Sequence, residues 1–406
     1  MKKWFVWPVL LAGVLCACGA QPTGKSAVTL PMNTERPVVV DLPADEAGPT
    51  PEPTPAAETT LTAADLTLEE KVGQLFIIRP DSLDLTLPQE QIDDAKADGV
   101  TELTDAMRDA LQKYPVGGVC QFGKNIVDPE QITAFNAALQ EASDIPLFIS
   151  VDEEGGAVAR LANKDIFDLP RYESAAAVGA EGVDAACAMG QTIGGYLRTY
   201  GFNMDFAPDA DVNTNPDNPI IGTRAFSSDA ATAAEMAAAA ADGLRTSGIL
   251  PTLKHFPGHG DTAEDSHTAL AVTYKTLDEL QACELLPFAA DTGLHAVMVG
   301  HIAAPNVTGD DTPATLSPQL VALIPDAENT LIVTDSLAMD AITAAYTPGE
   351  AAVQALQAGC DVLLMPNSLP EAYAAVLEAV QNGTISEERL DRSVNKILLY
   401  KQQFAS

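Results

Sequence analysis

From residue 66 onward the chain alternates between short apolar runs and longer segments whose apolar residues recur at helical spacing. Thr67, with Glu70 three residues later, has the capping-box pattern and predicts a helix running through Val72. The apolar runs are Leu75–Ile78, Gly118–Phe122, Leu147–Asp152, Asn203–Ala207, Leu250–Phe256, Ala296–Gly300, Leu331–Asp335 and Val362–Met365, and each is predicted to be a strand. Helical patterns between them include Ala230–Ser247 and Leu369–Gln381, the second stopped by Asn382-Gly383. Strand and helix alternating about eight times over ~340 residues is the sequence form of an α/β fold, a single (β/α)8 TIM-type barrel. A doubly wound sheet is the competing architecture. Its glycine-rich phosphate turn is approached only at Gly155-Gly156, which lacks the G-x-G-x-x-G spacing.

The first 60 residues do not share this pattern. Lys2 and Lys3 precede an apolar stretch from Trp4 to Val14, and Leu15-Cys-Ala-Cys18 follows, which together read as an export signal. The segment resembles a bacterial lipoprotein box, with small Ala17 before Cys18 and Gly19 after it. The resemblance implies removal of residues 1–17 and acylation of Cys18; Cys16 fits less well because bulky Leu15 precedes it. An uncleaved membrane span is the alternative, but the apolar stretch falls short of the ~20 residues that crossing a bilayer requires. Residues 18–60 are Pro-, Thr-, Glu- and Ala-rich and have little to bury, so they are expected to form a low-complexity tether for a catalytic region over residues 61–406.

Composition narrows the partners. A hydrophobic content of 47% supports a large core, and 22 basic against 57 acidic residues give a net charge of −35. That charge excludes nucleic acid and anionic lipid surfaces as natural partners, so contact with a membrane is expected through the lipid anchor only. Cys120, Cys187, Cys283 and Cys360 show no close pairing or ligand spacing and are expected to be buried free thiols.

The residues with chemical potential fall at or just past the predicted strand ends: Asp152, Asp205 and Asp209, Lys254 with His255, His301, and Asp335. Barrel enzymes keep their chemistry at the C-terminal ends of the strands. All five histidines follow Lys254, and three of them, His255, His259 and His267, stand in one short segment. Asp335 ends an apolar strand and is either a carboxylate held at the barrel mouth or the N-cap of the next helix. His267 follows Asp265 by two residues, which could orient the ring and raise its proton affinity; the alternative is a solvated histidine in a capped turn. Arg224 could hold a ligand oxygen or serve as a structural ion-pair partner. His255 and His259 have the i, i+4 spacing of a zinc pair, but Pro257-Gly258 between them opposes a helix and H-E-x-x-H is missing, so no metal is expected. A nucleophilic serine elbow, G-x-S-x-G, is also missing. Asp, Arg, Lys and His converging on one cavity suit a ligand rich in hydroxyls.

Several segments together resemble glycoside hydrolase family 3, in its β-N-acetylglucosaminidase branch. They are Val151-Asp-Glu-Glu-Gly-Gly156, Phe206-Ala-Pro208 with Asp211-Val212, Gly222-Thr-Arg-Ala-Phe226, Lys254-His-Phe-Pro-Gly-His-Gly260, Asp265-Ser-His267 and Thr334-Asp335. The resemblance implies that Asp335 is the nucleophile of a retaining hydrolysis and that His267, paired with Asp265, is the acid/base. It implies that Asp152, Arg160, Arg224, Lys254 and His255 bind sugar hydroxyls. Ala157 stands where many relatives carry Arg, and Ser336 follows the nucleophile where Asp or Ala is common. The expected protein is a monomeric, lipid-anchored, extracytoplasmic exo-β-N-acetylglucosaminidase acting on β-N-acetylglucosaminides such as peptidoglycan fragments, with no cofactor. The alternatives are a phosphorylase of the same glycosides, because a histidine acid/base tolerates phosphate better than a carboxylate does, and a non-catalytic glycan-binding lipoprotein.

Overall fold

The computed structural model describes residues 61–405 apart from Ala95, residues 264–269 and Thr292. The predicted leader of residues 1–17, Cys18, the tether of residues 18–60, and the pair Asp265 and His267 lie outside the described residues. Eight parallel strands form the centre: β1 (Phe76–Ile78), β2 (Gly118–Cys120), β3 (Phe148–Val151), β4 (Met204–Asp205), β5 (Leu250–Phe256), β6 (Ala296–Val299), β7 (Leu331–Thr334) and β8 (Leu363–Leu364). They are ordered β7-β6-β5-β4-β3-β2-β1-β8, so each strand lies beside its neighbour in sequence and β8 returns to β1. A bridge between Val333 in β7 and Val362 just before β8 joins the two edges, and the sheet becomes a nearly closed barrel, as the alternating pattern predicts.

Every residue of the eight strands is buried, because side chains fill the barrel on one face and helices cover the other. Seven of the predicted runs are trimmed by one or more residues. At the mouth the trimming leaves Asp152 and Asp335 one residue past the last strand residue. The helices start where the sequence places caps. Thr67 Oγ1 accepts from the Glu70 N–H at 3.2 Å while Glu70 accepts from the Thr67 N–H at 2.7 Å, and the helix Leu68–Gln74 follows. Asp229 caps Ala230–Thr246, and Leu369–Gln381 matches its predicted range. The helices Val183–Thr199 and Ala230–Thr246 cross at glycines: a Cβ on Gly243 would lie 2.2 Å from the Cys187 carbonyl oxygen, so any larger residue would push the pair apart.

Cys120 and Cys360 are buried, whereas Cys187 and Cys283 are half-buried, so the expected burial holds for two of the four thiols; none is in a disulfide. Cys187 faces a helix crossing at its backbone rather than a core layer, and Cys283 ends a short surface helix. Among the described residues no helix is long and apolar enough to cross a membrane.

The last helix, Glu387–Phe404, buries Lys401 to 3% exposure. Its Nζ donates to Gln74 Oε1 at 2.6 Å and lies 5.4 Å from the centre of the Phe148 ring. Burial pulls its pKa down to about 7. Between that value and the ordinary lysine range the unfolded chain binds more protons than the folded one, so this group makes stability rise with pH through that window. Lys401→Met should therefore stabilise the fold by up to about 4 kcal/mol near pH 6 and by less near pH 9. Urea unfolding at the two pH values measures the difference; an equal gain at both would mean that Lys401 does not titrate in that window.

Candidate active site

A cavity of about 600 Å³ opens among residues at the C-terminal ends of the strands, within the range of small-molecule sites. Its walls include Arg79 after β1, Phe122 after β2, Asp152, Glu154 and Arg160 after β3, Arg224 after β4, Lys254, His255 and His259 on and after β5, and Asp335 after β7. The structure thus brings together Asp152, Arg160, Arg224, Lys254, His255 and Asp335, six of the residues singled out in the sequence. Residues of a regular strand alternate faces, but the ladder between β5 and β6 shifts register between Leu253 and Phe256. Lys254 and His255, joined by a cis peptide, accordingly both line the cavity.

Lys254 is the hub. Only 2% exposed, it places Nζ 2.8 Å from Asp152 Oδ1 and 2.6 Å from Glu154 Oε1. Glu154 also accepts two bonds from Arg224, at 2.8 Å from Nη2 and 2.9 Å from Nε, a bidentate fork. Arg160 Nη2 stands 3.6 Å from Asp152. Burial works against every charge here, yet Lys254 and Arg224 hold the Glu154 carboxyl far below the usual range, and Lys254 and Arg160 lower that of Asp152. Burial likewise opposes the charge on Lys254, but Asp152 and Glu154 outweigh it and raise its pKa. The cluster is a set of fixed ionic groups with spare donors and acceptors facing the cavity.

Asp211 supports the next residue. Its Oδ2 lies 2.7 Å from His255 Nδ1, and its Oδ1 accepts from the His259 backbone N–H at 2.6 Å. Because a carboxylate accepts, Nδ1 of His255 carries the proton. Burial opposes the charged ring, but Asp211 raises the His255 pKa overall. Asp209, nearby, is pushed up to about 7 by burial and by the Asp211 charge. Asp209, Asp211 and His255 offer ligating atoms within 4.8 Å of one another. A metal on Asp209 would have to compete with Arg224, whose Nε is 3.5 Å from that carboxylate, so the site is already served by the protein's own cation.

Asp335 leaves β7 with its N–H donating to the Val299 carbonyl at 2.8 Å, and its Oδ1 accepts from the Ser336 N–H at 2.7 Å. The next helix, Asp340–Thr343, has Met339 at its cap position, which excludes the capping alternative for Asp335. Arg224 is an ion-pair partner of Glu154 and also lines the cavity. Two other strand-end residues stand behind the cavity. Asp205 is fully buried, accepts from the Glu153 N–H at 2.9 Å, and is raised well above the usual carboxyl range by burial. His301, also fully buried, contacts Thr315 and the Ser336 carbonyl. Sequence reasoning assigned no role to Glu154 or Asp211. The signal for Glu154 was the run of three acids Asp152-Glu153-Glu154 at a strand end, but its two cationic partners, Arg224 and Lys254, lie far along the chain.

Asp265 and His267 belong to the undescribed residues 264–269. Just before them, Thr262 Oγ1 lies 2.7 Å from His259 Nδ1, and the Thr262 carbonyl accepts from Asn215 and Asn218. Just after them, Ala271–Val272 pairs in parallel with Ile302–Ala303. Both ends of the segment are therefore fixed to loops of the barrel mouth.

The model of the Glycosyl hydrolase family 3 N terminal domain matches residues 67–399. Beta-hexosaminidase A of Pseudoalteromonas piscicida is 32% identical over 335 residues, which cover 74% of this chain and 56% of that protein. Beta-hexosaminidase LpqI of Mycobacterium tuberculosis is 32% identical over 407 residues, covering 96% of this chain and 94% of that protein. Among solved structures, a glycoside hydrolase family 3 beta-N-acetylglucosaminidase from Paenibacillus sp. str. FPU-7 superposes with a TM-score of 0.75 at 37% identity, covering 84% of this chain and 63% of that one.

The charge cluster predicts its own fragility. Glu154→Gln leaves Lys254 and Arg224 buried with one carboxylate fewer, and should cost about 3 kcal/mol in urea unfolding at pH 7. A cost under about 0.5 kcal/mol would mean that the two cations are neutralised by other groups.

Proposed function

The chain belongs to glycosyl hydrolase family 3, and on that premise we propose that it is a retaining exo-β-N-acetylglucosaminidase that hydrolyses terminal β-N-acetylglucosaminides, including fragments of peptidoglycan. The observation that carries this reading is the meeting of one strand-end carboxylate, Asp335, with the Lys254–Asp152–Glu154–Arg224 cluster and His255 in a single cavity. Such a cluster offers charged donors and acceptors in fixed directions, which suits the hydroxyls of one sugar ring.

The chemistry runs in two steps. Asp335 attacks the anomeric carbon as the bond to the leaving oxygen breaks, and protonated His267 gives that oxygen its proton. Neutral His267 then takes a proton from water, whose oxygen displaces Asp335 and restores the β configuration. Asp265 orients the His267 ring. Lys254, Asp152, Arg160, Arg224 and His255 hold the non-reducing sugar. No step calls for a metal or an organic cofactor. The protein acts outside the cytoplasmic membrane, tethered by an acyl group on Cys18 through residues 18–60.

The purified protein should release nitrophenol from 4-nitrophenyl β-N-acetylglucosaminide, and Asp335→Ala should remove at least about 10³-fold of that activity with the melting temperature retained. Residual turnover above about a tenth of wild type would take Asp335 out of the nucleophile role. The sugar product distinguishes hydrolysis from phosphorolysis: free N-acetylglucosamine in phosphate buffer supports the proposal, and a phosphate-dependent yield of the sugar 1-phosphate replaces it. Saturable binding of the glycoside without turnover would instead favour a glycan-binding protein. His267→Ala should impair substrates with poor leaving groups more than dinitrophenyl glycosides, which need less protonation. Equal losses on both would count against the acid assignment.

The address is tested separately. Growth with labelled palmitate should mark the wild-type chain and leave Cys18→Ala unmarked. Label retained in Cys18→Ala would move or remove the proposed anchor.

A further inference from the structure

We propose that His301 is a positioning residue for the Asp335 carboxylate, clamping the Asp335-Ser336 dipeptide against the end of β6; the inference rests on the reading of Asp335 as nucleophile. β6 ends at Val299, whose carbonyl accepts the Asp335 N–H at 2.8 Å. Two residues on, the His301 ring reaches the same dipeptide from its other end, with Nε2 2.8 Å from the Ser336 carbonyl oxygen. A carbonyl only accepts, so Nε2 carries a proton. Nδ1 lies 2.7 Å from Thr315 Oγ1, and that hydroxyl lies 3.0 Å from the Gly300 carbonyl and 3.2 Å from the Val299 carbonyl. Both ring nitrogens are thus engaged, and His301 and Thr315 are each fully buried.

The consequence concerns the peptide between the two pins. The Ser336 N–H lies between the Asp335 N–H and the Ser336 carbonyl along the chain, and it donates to Asp335 Oδ1 at 2.7 Å. With both ends held, the dipeptide that carries the carboxylate cannot move away from the end of β6 without breaking the bond to Val299 or to His301. The bond from the Ser336 N–H fixes one oxygen of the carboxylate that attacks the anomeric carbon while the bond to the protonated leaving oxygen breaks. The His301 side chain therefore acts on where the carboxylate stands, without touching the sugar. The anchor is rigid because it runs through β6 and Thr315 rather than through solvent. A misplacement of about 1 Å in the attacking atom can cost about 10²-fold in rate, whereas the sugar-binding groups, on other strands, are untouched.

The test uses the full chain with a series of aryl β-N-acetylglucosaminides running from dinitrophenyl to phenyl. His301→Leu should lower kcat by about 30- to 100-fold at every leaving group, giving a parallel line, with KM and the inhibition constant of free N-acetylglucosamine within about threefold of wild type. His301→Gln, whose Nε2 can donate to the Ser336 carbonyl, should recover most of the loss. The proposal is overturned by His301→Leu turning over within about threefold of wild type, by a matching loss in N-acetylglucosamine binding, by a loss that grows with leaving-group pKa, or by a His301→Gln variant as slow as His301→Leu. If His301→Leu does not fold, Thr315→Val keeps the ring and removes its Nδ1 partner. A loss of about threefold or more in kcat, with binding unchanged, then supports the clamp, and no loss sinks it. A wild-type chain that turns over none of the glycosides overturns the functional reading itself; an active wild type with an inactive Asp335→Ala and an undiminished His301→Leu overturns only this proposal.

Discussion

Lys254, Arg224, Asp152 and Glu154 neutralise one another at the barrel mouth, where Lys254 and Glu154 are buried and either alone would be too costly to hold there. An isolated charge in a protein interior loses several kcal/mol of hydration, and only a close, hydrogen-bonded partner returns it. Each of the four meets that condition through another: Lys254 through Asp152 and Glu154, Arg224 through Glu154. The partners are 102 residues apart for Lys254 and Asp152 and 70 apart for Arg224 and Glu154. Only a fold that brings the ends of β3, β4 and β5 side by side can pair them, so the barrel and the cluster depend on each other.

The same segment shows how environment sets the state of chemically identical groups. Asp205, Asp209 and Asp211 follow one another after and at the end of β4, and burial raises the proton affinity of all three. For Asp205 burial wins outright. Asp209 ends near neutrality because the Asp211 charge adds to burial while Arg224 only partly compensates. Asp211 is held low because His255 and His259 supply the opposing charge and hydrogen bonds. A buried aspartate is therefore a support for the backbone in one place and an ionised anchor for a histidine a few residues away.

The layering has a functional logic. Several groups at the cavity are held by a second group that does not face it: His255 by Asp211, the Ser336 carbonyl beside Asp335 by His301, and the chain after Asp152 by Asp205. Preorganised dipoles and charges need not reorient when a transition state forms, which is the main source of electrostatic catalysis. Supporting residues do that work only when packed, and Asp205, Asp211 and His301 are all fully buried.

The barrel was legible in the sequence because its information is local and repeated. Eight apolar runs separated by helical patterns admit few architectures, and each strand pairs with its neighbour in sequence, so little had to be known about distant contacts. The strand-end positions of Asp152, Lys254, His255 and Asp335 were legible for the same reason, since an ordered parallel barrel delivers strand ends to one mouth. What the sequence left open was every choice between two roles for one residue. Asp335 as cap or cavity carboxylate and Arg224 as ion pair or ligand group differ only in what lies opposite the side chain. Sequence spacing carries no record of a contact across 70 or 102 residues. Tertiary structure placed Asp335 at the cavity rather than at a helix cap and paired Arg224 with Glu154, because charge pairing and burial are properties of atoms brought together by folding, whereas periodicity is a property of the chain.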